Sequence, residues 1–155
     1  MSGVSIDHNT ISGNTFGEIR QHLKGKTCRV FNSDQRIYIE ANGLFTYPDL
    51  SIVCGNIGLW KNRNDAIINP VVVIEVQSAS TSGYDHSEKF RLYRDIPSLK
   101  EYILISSTEV LVERYLKVSD HFWNFSEIKN LENAFHVESI DFQCPLSEVY
   151  RDVTF

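Results

Sequence analysis

Nothing in the sequence approaches the roughly 18 consecutive apolar residues of a membrane-spanning helix. The start, MSGVSIDHNTISGNTF, has no basic segment ahead of an apolar one. No secretory signal is therefore expected, and the cytoplasm is the expected location. Cysteine is scarce: Cys28, Cys54 and Cys144 are widely spaced, each in or beside an apolar run. With no CxxC pair and no Cys/His cluster, zinc is disfavoured and three reduced structural thiols are expected. Ser78, Ser80 and His86 lie close in sequence but have no GxSxG elbow around them, so a Ser/His hydrolase has little support. STSGYDHSEK lacks the Walker lysine pattern, and no organic cofactor is expected. Internal repeats, low-complexity tracts and linkers are absent.

Positive charge is also in short supply. Lys and Arg number 15 against 20 Asp and Glu, for a net charge of −5. That balance excludes a protein that coats nucleic acid by bulk electrostatics, but it permits local patches. Arg20, Lys24, Lys26 and Arg29 form one such patch, and Lys89, Arg91 and Arg94 another. The Gly- and Asn-rich stretch from Gly55 to Pro70 adds Lys61 and Arg63.

What is present reads as one α/β domain over residues 1–155. Apolar residues at helical spacing from His8 to Leu23 predict a helix that stops at Gly25. Short strands follow at CRVFN and DQRIYIE, with Asn42-Gly43 as a hairpin turn into LFTYPDLSIVC. Pro48 interrupts that returning strand, because proline cannot donate to a ladder. VVVIEVQ is almost continuously apolar, as in a central strand covered on both faces. SEKFRLYRDI predicts a helix ended by Pro97, and EYILISS and EVLVERYLKV predict a hairpin. Further β or mixed segments run from HFWNFSEI to FHVESIDF, with a short helix at PLSEVY. The order suggests a central mixed β-sheet flanked by helices.

Two carboxylates stand out. Asp49 follows the strand-breaking proline, and Glu75 sits in the most apolar run of the chain. A lone charge in such a place is costly unless something satisfies it. Two carboxylates from neighbouring strands can converge at one end of a sheet. Magnesium takes one or two such carboxylates plus waters and substrate phosphates. Gln77 or Lys89 could then orient a water or offset developing negative charge. Lys89 continues the inward stripe of Leu92, Tyr93 and Ile96, and helical side chains lean toward the N-terminus, back toward Glu75.

The pattern Pro48-Asp49 … Glu75-Val76-Gln77 resembles the PD-(D/E)xK nuclease superfamily. The longer run YPDLSIVC … PVVVIEVQSASTSGYDHSEKFRLYRDIPSLKEYILIS is similar to the Uma family of restriction-endonuclease-like proteins. That likeness extends upstream through DHNTISGNTFGEIRQHL and CRVFNSDQRIYI, and reaches about Tyr115.

The resemblance implies a restriction-endonuclease-like core and cleavage of phosphodiester bonds in DNA with Mg2+, or with Mn2+ in its place. Asp49 and Glu75 become metal ligands, with the backbone carbonyl of Val76 a third. Gln77 stands where the superfamily pattern has lysine, and the lysine's role moves to Lys89. His8 and Glu18 match a helix that carries accessory polar residues. Arg20, Lys24, Lys61 and Arg63 are the candidate DNA contacts, and a homodimer is implied by analogy. A rival reading stays open: a catalytically inactive nucleic-acid or protein interaction module on the same fold, favoured by Gln77 and the negative charge.

Overall fold

A computed structural model describes residues 4–78 and 84–155, the second segment with its side chains from residue 87 onward. Helix α1 (Ile6–His22) starts two residues earlier than the apolar spacing predicts, because Ser5 caps it by accepting from the His8 amide. Strands β1 (Cys28–Phe31), β2 (Arg36–Ile39), β3 (Leu44–Thr46), β4 (Leu50–Cys54), β5 (Ala66–Ile67) and β6 (Val72–Gln77) follow, then helix α2 (Tyr84–Tyr93). Strands β7 (Glu101–Ser106), β8 (Val112–Ser119), β9 (Phe122–Ile128), β10 (Ala134–Val137) and β11 (Phe142–Pro145) lead to the short helix α3 (Leu146–Val149). Among the described residues, no helix is long and apolar enough to cross a membrane.

The main sheet has the order β1-β4-β6-β7-β8-β9 and is mixed, as the sequence suggests. Strands β6 and β7 are parallel, with α2 in the crossover between them, and the other pairs are antiparallel. The run 72–77 is apolar on both faces because both are covered. On one face, Ile74 and Val76 pack with Ile11 and Ile19 of α1 and with Val137 and Leu146 near the C-terminus. On the other, Val73 packs with Phe90 and Tyr93 of α2, Tyr102 and Leu104.

The structure differs from the sequence reading in four places. Residues 44–54 are two strands in two sheets: β3 pairs with β2, and β4 enters the main sheet after a break at Tyr47–Asp49. The stretch 55–70, read as loop, contains β5, which pairs parallel with β2. Two residues are too few to show a period. Helix α2 ends at Tyr93, short of Pro97, where the Asn42 side chain donates to the Leu92 carbonyl and the chain turns. Its buried stripe is Phe90, Tyr93 and, just beyond the helix, Ile96.

The fourth difference concerns cysteine. The expectation of three reduced thiols is wrong for two of them: Cys28 and Cys54 form a disulfide. They are direct partners across the β1–β4 ladder, with Cα atoms 4.0 Å apart, a proximity that depends on strand register and is invisible in their spacing. Cys144 is a free, buried cysteine, and burial pushes its thiol up to about 12.

Glu101 opens β7 fully buried, and the chain is built to receive it. The backbone amides of Glu138 and Ser139 and the Ser139 hydroxyl all donate to its carboxylate, at 3.1, 2.6 and 2.6 Å. It thereby caps the 3-10 turn Glu138–Ile140, with Arg114 3.8 Å away. Replacing Glu101 with Gln exchanges one acceptor oxygen for a donor facing donors. It is expected to cost about 2 kcal/mol, read as a fall of ~6 °C in thermal unfolding. An unchanged melting temperature would rule out this capping role.

Candidate active site

The β4–β6 register pairs Leu50 with Ile74, so the next residues out, Asp49 and Glu75, stand opposite each other. Strand β4 ends there, and the final amides of β6 lose their partner on that side. Asp49 replaces it: the Val76 amide donates to Asp49 Oδ2 at 2.8 Å. An extended residue projects its N–H and C=O toward the same neighbour, so the Val76 carbonyl faces Asp49 as well.

Each carboxylate is met by a helix from a different face of the sheet. His8, buried on the first turn of α1, places Nε2 3.4 Å from Asp49 Oδ2. This carboxylate raises the His8 pKa above its usual value, against the opposing effect of burial. From the α2 side, the Tyr93 hydroxyl donates to Glu75 Oε1 at 3.1 Å. With the tyrosine proton committed there, Thr46 Oγ1 donates to Tyr93 at 2.8 Å, linking β3 to the site. Lys89 reaches Glu75 Oε2 at 3.8 Å while remaining half exposed.

Burial pushes Glu75 up to about 7, opposed mainly by Lys89 and reinforced by Asp49. A half-solvated ammonium at that distance does not offset the desolvation of a carboxylate only 8% exposed. That deficit is what a bound divalent cation would relieve. The donor set is hard oxygen, and two carboxylates with waters and phosphate oxygens suit magnesium. Among the described residues no three His, Cys, Asp or Glu side chains form a ready-made cage. The residues present therefore fit an ion completed by water and substrate.

Of the other candidate residues, Gln77 lies on the Glu75 face at the strand end, and its carbonyl accepts from the Ser107 amide and hydroxyl. Glu18 stands ten residues along α1 from His8, about 15 Å down the axis, where its charge acts on Cys144. It is not brought to the carboxylates. Arg20 and Lys24 line a groove of about 700 Å3 between α1 and β1, with Arg29 across from them. A smaller cleft of about 290 Å3 along the same helix carries His8 and Asp49. Lys61 and Arg63 sit at the exposed turn Trp60–Asn62. Ser80 and the His86 side chain, weighed above for a hydrolase, lie outside the described residues. Tyr93 and Thr46 escaped the sequence reading. The helical spacing puts Tyr93 in the core stripe, and its hydroxyl reaches Glu75 only through the fold.

With this geometry in view, the comparisons with known proteins are decisive about kinship. The family model Uma2, described as "Putative restriction endonuclease", matches residues 1–147. The chain belongs to this family. It is 34% identical to the uncharacterized protein sll1609 of Synechocystis sp. (strain ATCC 27184 / PCC 6803 / Kazusa), over 86% of this chain and 75% of that one. To slr1290 of the same organism, also uncharacterized, it is 35% identical over 100% of this chain and 80% of that one. A crystal structure described as "a putative nuclease belonging to DUF820 from Anabaena variabilis ATCC 29413" superposes with a TM-score of 0.79, at 17% identity, covering 96% of this chain and 83% of that chain. At that identity the likeness is one of fold. Family and fold together assign the Uma2 member a restriction-endonuclease-like architecture.

The Glu75 environment has a pH signature in metal-free protein. Its native pKa of about 7 lies above the ordinary 4.5, so the folded state holds the proton more tightly. This contribution to stability is complete below pH 4.5 and lost as pH rises through 7. His8, raised above 6.5, loses its contribution in the same direction. Urea unfolding in EDTA should therefore show stability falling between about pH 5 and 8, by on the order of 3 kcal/mol from Glu75. Glu75→Gln should flatten most of that slope. A wild-type profile that is already flat counts against a desolvated Glu75.

Proposed function

We propose that this Uma2 protein is a magnesium-dependent DNA endonuclease, with manganese able to replace magnesium, acting in the cytoplasm. The observation that carries the reading is the meeting of four separated segments at the end of β6. Asp49, Glu75, His8 and Lys89 come from a strand start, a strand end and two helices. A structural ion pair needs two of them, not four.

Asp49, Glu75 and the Val76 carbonyl would hold the ion. Bound there, magnesium supplies charge neutralisation at a phosphoryl oxygen and acidifies a bound water. The chain's own residues set the rest. The Val76 amide and His8 both engage Asp49 Oδ2 and so fix its rotamer. Tyr93, itself held by Thr46, fixes Glu75. Lys89 pairs loosely with Glu75 and stays half in solvent, so its ammonium can swing to a non-bridging phosphate oxygen at little cost. Gln77 carries no charge and can only orient. The α1 groove offers Arg20, Lys24 and Arg29 to flanking phosphates.

A second reading, an inactive nucleic-acid-binding module, is favoured by Gln77 in place of the superfamily lysine; it expects binding without turnover.

Incubation with plasmid and single-stranded DNA in magnesium, manganese or EDTA separates the two. Cleavage should require the metal and stop with EDTA. Asp49→Ala should abolish it, and Lys89→Met should fold normally yet lose about two orders of magnitude in rate. Full activity in Lys89→Met removes the lysine from the chemistry. In a parallel binding titration, the slope of log affinity against log salt should decrease by about one for each charge removed at Arg20 or Lys24. Slopes unchanged in both variants place the phosphate contacts elsewhere.

A further inference from the structure

The small sheet formed by β2, β3 and β5 carries aromatic side chains on its outer face. Tyr38 of β2 is paired with Phe45 of β3, their rings 4.6 Å apart, and Trp60 leans on both at 4.7 and 5.0 Å. Cations stand over these rings: Arg36 at 4.5 Å from Phe45, and Lys61 and Arg63 at 4.8 and 5.5 Å from Trp60. Asp65 ties Arg36 and Arg63 together, at 3.0 and 2.9 Å, leaving more cation than anion at this edge of an otherwise acidic protein. Lys61 and Asn62 hold left-handed backbone, with φ of 49° and 59°. Such strain in non-glycine residues persists only where surrounding contacts enforce it.

Two residues beyond Phe45, in the break between β3 and β4, stands Tyr47, itself two residues before Asp49. Tyr47 is 56% exposed and Phe45 39%. No ring or cation covers Tyr47 among the described residues. Core packing does not account for an exposed tyrosine and phenylalanine in line with a carboxylate, backed by a tryptophan and ringed by cations.

We propose that this shelf docks single-stranded DNA, stacking unpaired bases on Phe45 and Tyr47 and holding its phosphates with Arg36, Lys61 and Arg63. The inference deepens the nuclease reading and rests on it only for what happens at Asp49. Stacking needs only the π-face that every base has, and basic side chains tracking the backbone complete the recognition. Spacing favours an unpaired strand. Residues two apart in the chain can stand up to about 7 Å apart, twice the ~3.4 Å rise between bases in a duplex. A duplex keeps its bases stacked on one another at that smaller rise. A single strand can open and give each ring its own base. From Tyr47, the following phosphate lies within reach of Asp49, at most about 7 Å along the chain.

The test is binding without turnover: fluorescence anisotropy of a labelled oligo-dT, the same length of duplex, and oligo-U, all in EDTA. The single-stranded DNA should bind at least tenfold tighter than duplex. Phe45→Ala with Tyr47→Ala should weaken it by about tenfold or more, with duplex binding little changed. Tyr47→Phe, which keeps the ring, should bind as wild type does, and circular dichroism checks that each variant folds. Trp60 emission should be quenched on binding, measured in Trp123→Phe to leave one reporter. Equal affinity for duplex, binding confined to oligo-U, or wild-type affinity in the double variant would each overturn the shelf. Cleavage of single-stranded DNA that is indifferent to the double variant keeps the nuclease and removes the shelf. Ring-dependent strand binding by a protein that cleaves nothing does the reverse.

Discussion

The amide of Val76 donates to Asp49, and the geometry of the cleft depends on where that bond falls. Strand β4 begins at Leu50 because the chain at Tyr47–Asp49 is leaving another sheet, so the Val76 amide has no strand beside it on that side. A side chain completes the ladder in its place. The register is pinned from both sides of the sheet: Leu50 and Ile52 pack toward α1, and Val53 packs toward α2. A slip of one residue would exchange those faces and carry Asp49 away from Glu75. The packing that stabilises the fold is thus also what aligns the carboxylates.

Glu101 and Glu75 show how the same side chain can be buried for opposite ends. Glu101 receives three donors from a turn it caps, with Arg114 nearby. Glu75 receives one phenolic hydrogen bond and a distant, half-exposed ammonium. The first environment satisfies an anion by itself. The second leaves a buried anion short of positive charge, with its opposite carboxylate adding to the deficit. Such under-compensation is expected where the missing charge arrives with a ligand.

The sequence made the central elements legible because burial on two faces leaves a continuous apolar run, and that run located β6 and Glu75 together. Pro48 marked the break before Asp49, although not that the chain changes sheets there. What stayed hidden depends on contacts between distant residues. Cys28 and Cys54 meet through strand register, 26 positions apart in sequence. Tyr93 reads as a core residue because its ring is one, and only its hydroxyl serves Glu75. Glu101 reads as a polar strand start because its three donors come from residues 138 and 139. Glu18 fits the helix pattern, yet a position ten residues from His8 lies almost three turns away.

The two helices approach the carboxylates from opposite faces of the sheet. His8 reaches Asp49 from the α1 side, and Lys89 and Tyr93 reach Glu75 from the α2 side. They meet only because β6 outlasts β4, so the sheet no longer separates the layers at that point. The groove along α1 and the proposed shelf before Asp49 both set cations beside rings, with Arg29 over Phe31 in the first and Lys61 over Trp60 in the second. Cutting both strands of a duplex with two sites would call for a homodimer. A ligand held through its unpaired bases needs one site per strand. On the proposed shelf, a single protomer is sufficient.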